Sequence, residues 1–431
     1  MQTTTTLPPS NILGISAKSI YRPINQELGR DLIEAGLNAK ARRFDLQREA
    51  QRLIYDPDKP AAAQTRVCWC HRKIRTRGES VGVYRTCDGS SSRLSEISTC
   101  GSVWHCPVCA AKITEARRKE LDLAVTAWVK HGGIVNLLTL TFPHEFDMPL
   151  LALLEKFAKA LQRFKSCKSY KRIMGGAGRE GSIRSLETTW GENGWHPHTH
   201  DLVFMARELT MTEVDTLKSE WARLCLKCGL GDNSKLSDML AHGLDIQDGK
   251  YAAEYIAKFG HDAAWGASAE MTKPHSKLGK VGEFGGADHY TPFQLLAWAE
   301  GGDDRAAALF REFAAAFEGK RMLSWSPKLR LLLTGCENEL SDEDIAAHDD
   351  PVPDEQRVGE LHQDQLAVLL SRNRLGDFVG YAARCCADPA AGQADINAYV
   401  DAIAALPKSH SGRYMKRKFI GRGFLELHEL Q

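Results

Sequence analysis

In the stretch GWHPHTHDLVFM, residues 194–205, imidazoles occupy alternate positions ahead of an apolar run. Side chains two apart on a strand share a face. His198 and His200 therefore stand side by side, and two neutral imidazoles at that spacing can share one metal ion. Glu187 lies just before the Gly/Asn turn, where a hairpin sets it opposite the histidines on the same face. Two imidazoles and one carboxylate leave coordination positions open, which suits Mg2+ or Mn2+ acting as a Lewis acid.

A second group lies in KYAAEYIAKFG, where helical spacing puts Tyr251, Tyr255 and Lys258 on one face. A phenol is a poor nucleophile near neutral pH. It attacks a phosphodiester when a metal polarises the phosphate and a nearby cation takes up developing charge. A third group is thiol-based. TCGSVWHCPVCAAKI supplies Cys100, Cys106 and Cys109, with the Cys-x2-Cys pair closing against a proline-started helix. Three spaced thiols and one from upstream make a tetrahedral structural zinc site. Cys70 is the favoured fourth ligand, with Cys68 and Cys87 behind it and His71 and His105 near enough to compete. The CLKCG pair at 225–229 sits inside a helical pattern without a second pair nearby and is discounted.

The elements that must hold these groups read as an α+β layer with an antiparallel sheet. GGIVNLLTLTFPH is a buried strand, PLLALLEKFAKALQRFKSC an amphipathic helix, and SIRSLETTWGENGWHPHTHDLVFM a pair of strands around a turn. A helix from Pro107 ends at a glycine pair. The 431 residues suit two or three domains. The division expected is an N-terminal tail and helix (1–65), a zinc segment with a basic helix (66–130), a catalytic layer (131–335), an acidic solvated linker (336–360) and a small helical C-terminal region (361–431).

Net charge is only +1, yet residues 66–130 carry twelve Lys and Arg against six Asp and Glu. Such a local excess provides a surface for phosphates that the total conceals. No apolar run reaches membrane-spanning length, and no secretory signal opens the chain, so a cytoplasmic protein without membrane contact is expected. In a reducing compartment the twelve cysteines serve as metal ligands or remain free.

Taken together, these residues resemble the HUH endonucleases, and among them the rolling-circle replication initiators of bacterial plasmids. LLTLTFPH is similar to the first family motif, GWHPHTHDLVF to the second and YAAEYIAKF to the third, over about residues 66–335. The tyrosines follow the histidines, an order that resembles initiators rather than conjugative relaxases, and Tyr251 resembles the second tyrosine of paired-tyrosine members. The resemblance implies an HUH-type sheet flanked by helices. It further implies a catalytic ion on His198, His200 and Glu187, attack by Tyr255 with Lys258 beside it, and a 5′-phosphotyrosine link with a free 3′-OH primer. Tyr251 would serve termination. The partners implied are origin DNA, single-stranded or extruded, with a host helicase and polymerase. The zinc segment and Lys112, Arg117, Arg118 and Lys119 would contact DNA phosphates. A rolling-circle transposase uses the same chemistry. A non-catalytic zinc-dependent DNA-binding regulator is the alternative of another class.

Overall fold

The computed structural model describes residues 26–75, 79–248, 289–335, 338–348, 354–408, 416–420 and 423–428. A long helix, α1 (Gln26–Ile54), leads into the cysteine-rich segment, which contains a short hairpin of β1 (Val81–Thr86) and β2 (Ser92–Leu94). The helix α2 (Pro107–Lys130) follows, capped by Cys106 and opened by Pro107, whose fixed φ suits the first helical position. It stops where Gly132 takes φ +79.

The central sheet comes next. Strand β3 (Ile134–Leu140) is followed by α3 (Leu150–Ser166) and α4 (Lys168–Gly176), then by the long hairpin β4 (Gly181–Gly191) and β5 (Gly194–Met205). Helices α5 (Met211–Lys227) and α6 (Leu236–His242) return the chain to β6 (Leu244–Asp248). The strand order is β6-β3-β5-β4-β7, all antiparallel, with β7 (His289–Tyr290) at one end of β4. After α7 (Pro292–Glu300) and α8 (Asp304–Phe317), β8 (Leu323–Trp325) pairs with the other end of β4. The expected α+β architecture, an antiparallel sheet flanked by helices, is what the chain adopts. The histidine strand is the middle strand, with a partner on each side.

Each face of the sheet is tied to helices. On the face opposite His200, the buried Asp201 pairs with Lys165 of α3 at 2.6 Å and with Arg184 of β4 at 2.9 Å. Losing both cations would strand a buried charge, at a cost of about 3–5 kcal/mol. On the histidine face, Trp128 of α2 packs edge-on against Phe204, with ring centroids 6.1 Å apart.

Three expectations are corrected here. The acidic stretch is not a solvated spacer. After α9 (Leu329–Thr334), a capping box of Ser341 and Asp344 starts α10 (Asp342–Ala347), which buries Ile345 and Ala346 in the main core. Its carboxylates have counter-ions waiting on α2. The following residues are not linker either, because β9 (Glu355–Leu361) pairs with β1 in a second sheet of order β2-β1-β9. The C-terminal region is not purely helical. Helices α11 (Gln363–Ser371), α12 (Leu375–Ala382) and α13 (Pro389–Ala404) close a second core on Val81, Val83 and Ile97, and a hairpin of β10 (Lys416–Ile420) and β11 (Gly423–His428) follows. Residues 81–97 thus belong with the C-terminal region, not with the cysteines. Among the described residues, no helix is long and apolar enough to cross a membrane.

Candidate metal centre

The β4–β5 hairpin turns over Glu192 and Asn193, with Gly191 opposite Gly194. Gly194 has φ +81, and a Cβ there would lie 2.8 Å from the carbonyl oxygen of Phe146. Only glycine satisfies both conditions. This turn fixes the register that puts Glu187 directly across from His198 and Ser185 across from His200. One residue of slip between the two strands would put Glu187 and the histidines on opposite faces.

The ligand atoms converge. His198 Nε2 is 3.4 Å and His200 Nε2 3.7 Å from Glu187 Oε2. These gaps match the spacing of donors around one ion. Each imidazole is oriented through its other nitrogen: His198 Nδ1 donates to the backbone carbonyl of His196 at 3.2 Å, and His200 Nδ1 lies 2.9 Å from Thr139 Oγ1 on β3. Outer bonds of this kind aim Nε2 at a metal. Burial alone would raise the Glu187 carboxyl, but hydrogen bonds and charge from His198 and His200 outweigh it and hold the pKa down to about 2. Glu187 Oε1 is buried without a hydrogen-bond partner. An anionic oxygen so placed fits a cation. Glu187, His198 and His200 form a group able to hold a metal ion.

The second centre is built at the start of α2. Cys70, Cys100, Cys106 and Cys109 are all buried and converge on one point. Their sulfurs lie 3.6 Å (Cys70–Cys109), 3.6 Å (Cys100–Cys109) and 3.8 Å (Cys70–Cys106) apart. A tetrahedron of Zn–S bonds of about 2.3 Å has edges of about 3.8 Å. Backbone N–H groups of Cys100, Ser102 and Cys109 donate to the sulfurs of Cys70, Cys100 and Cys106. Four buried thiols this close together match the donor set of a soft dication. Neighbouring thiols hold Cys109 well below its ordinary value, while burial pushes Cys70 up. The fourth thiol of the cluster is Cys70. Cys68 instead sits 3.6 Å from Thr65 Oγ1, and Cys87 is exposed.

Some participants had no sequence signal. Gln47 of α1 donates from Nε2 to Cys106 Sγ at 3.0 Å and lies 2.9 Å from His71 Nδ1, and Gln51 donates to the Cys70 carbonyl. Nothing marks a glutamine within a helix as a brace for thiols. Thr139, by contrast, was readable, because β3 alternation turns it toward the histidine face. Tyr251, Tyr255 and Lys258 lie outside the described residues. Of the four cations expected on DNA, Arg117 is only 5% exposed and is held by Asp342 (2.8 Å), Glu339 (3.1 Å) and Glu120 (3.0 Å). Lys112 donates to the carbonyls of Ala346 and His348. These two are committed to the acidic helix, not to an open surface. Arg118 pairs with Glu115 and Asp122, and Lys119 is 68% exposed.

Residues 91–376 match the model of a family described as replication protein (Rep_1). The chain belongs to this replication protein family. It is 27% identical over 340 residues to "Protein rep" of Streptomyces lividans, covering 64% of this chain and 73% of that one. It is also 30% identical over 150 residues to a Streptomyces cyanogenus protein named "Neomycin resistance protein", covering 28% of this chain and 33% of the relative. No solved structure matches. Membership bears out the resemblance to plasmid replication initiators, and the matched residues include Glu187, His198 and His200 and three of the four clustered cysteines, Cys70 lying ahead of them.

Proposed function

We propose that this replication protein is a rolling-circle initiator of the HUH type that nicks and rejoins one strand of origin DNA through tyrosine. The observation that carries the reading is the convergence of Glu187, His198 and His200 on one face of a hairpin in a chain of the replication family. An ion bound there, Mg2+ or Mn2+, supplies Lewis-acid polarisation of a phosphate. The residues do the rest. Tyr255 Oη attacks the phosphorus and loses its proton, the bond to the 3′ oxygen breaks, and that oxygen leaves as a 3′-OH. The product is a 5′-phosphotyrosine that keeps the bond energy, so rejoining needs no nucleotide. Lys258 steadies the charge on the phosphate, and Tyr251 repeats the attack at termination. The cysteine centre holds Zn2+ and fixes the start of α2, leaving the exposed Lys119 on the side open to DNA phosphates. No P-loop motif occurs in the sequence, so a host helicase and polymerase act on the primer.

The test is incubation of the protein and Mn2+ with labelled single strands tiled across the origin of its own replicon. The expected result is a denaturation-resistant protein–DNA adduct, absent in His198→Ala and in the double variant Tyr251→Phe, Tyr255→Phe. No adduct on any strand, with Mn2+ shown to be bound, would overturn the reading in favour of a zinc-dependent DNA-binding regulator.

A further inference from the structure

Two histidines beside the ion site have no role in the scheme above. His196 precedes His198 on the same face of β5, and His144 lies in the loop after β3. Their rings stack at 4.7 Å with 15° between planes. His196 is 5.2 Å from His198, which is 5.0 Å from His200. The four imidazoles form a continuous row from the buried His200, 2% exposed, out to the loop at 143–149. The row is held in shape: Thr141 Oγ1 bonds His196 Nε2, and the Gly194 turn leaves no room for a side chain against Phe146.

At the outer end stands Phe146, 50% exposed despite its size. Its ring lies 6.0 Å from Trp190, and the Arg305 guanidinium sits 5.4 Å from its centroid. A half-exposed aromatic beside a cation is the arrangement that stacks an unpaired base and attracts the adjoining phosphate. Imidazole N–H groups are phosphate donors. We propose that His196, His144 and Phe146 form a track for single-stranded DNA next to the scissile phosphate. His196 and His144 bond the neighbouring backbone, and Phe146 stacks a base beyond it. The inference rests on the nicking reading for the identity of the strand, but its test reads binding rather than chemistry.

Fluorescence anisotropy of the full chain with Mn2+ and fluorescein-labelled origin single strands measures the contribution. Phe146→Ala should raise Kd about tenfold, the worth of one stacked base, and the double variant His144→Gln, His196→Gln should raise it several-fold. Calorimetric Mn2+ affinity and thermal unfolding should remain as in the unsubstituted protein. Kd values within twofold of that protein in both variants would overturn the track. So would loss of Mn2+ affinity in the double histidine variant, which would place both rings in the ion's own shell. If the unsubstituted protein forms no adduct yet both variants still weaken binding, the nicking reading fails and the track stands.

Discussion

Glu187 keeps its charge in a half-buried strand position because two imidazoles offset the loss of water around it. The same balance makes it the most telling single substitution. Glu187→Gln retains shape and hydrogen-bonding capacity but removes the anion. Mn2+ affinity by titration calorimetry is expected to fall at least tenfold; unaltered affinity would remove Glu187 from the ligand set. Residues of this kind were legible because strand alternation has a period of two and the turn is short. From the turn outward, His198, His200 and Glu187 fall on one face without further information. Gln47 and Gln51 escaped notice because their partners lie across a helix–loop contact that leaves no local pattern.

At the scale of elements, α1 is a support that reaches in two directions: toward the thiols through Gln47, and toward the second core through Lys40. Burial, with Arg43 adding to it, lowers the Lys40 ammonium from 10.5 to about 8, while Glu355 pulls the other way. Lys40 donates to Ser91 Oγ and to the Ser92 carbonyl. Because folding favours the neutral amine, its contribution to stability is complete above 10.5 and is lost as pH falls toward 8. The urea midpoint of Lys40→Met should therefore show a smaller rise between pH 8 and 10 than the unsubstituted protein, and equal slopes would exclude Lys40 as the source. Helix α10 shows what an element can hide. Its run of acids reads as solvated because only Ile345 and Ala346 mark an apolar side, and its counter-charge, Arg117, is more than two hundred positions away. Long amphipathic helices such as α3 were plain for the opposite reason: many apolar positions repeat at helical spacing.

For the whole molecule, the decisive feature is a strand pairing between distant parts of the chain. Val81–Thr86 pairs antiparallel with Glu355–Leu361 across a bulge between Val83 and Tyr84, and the core below it joins Val83 and Ile97 to Phe378 and Ile396. Such pairing cannot be read locally. EQRVGEL is a short strand beside a run of acids, and nothing in it names a partner. Ending the chain at Pro353 would expose Val81, Val83 and Ile97 together. The shortened protein is expected to elute in the void volume on gel filtration and to lose a cooperative urea transition; a monomer that still unfolds in one step would show that the central sheet needs no closure from the C-terminal region.

That closure also has a consequence in time. A ribosome delivers β1 and the cysteine-rich segment early, but their sheet waits for β9, made after the whole central layer has emerged. Pairings this distant in sequence form late and slowly. A half-made chain carries both sets of metal ligands yet lacks the strand that finishes its first sheet. Synthesis itself thus acts as a delay: the first sheet is completed only once translation has passed β9.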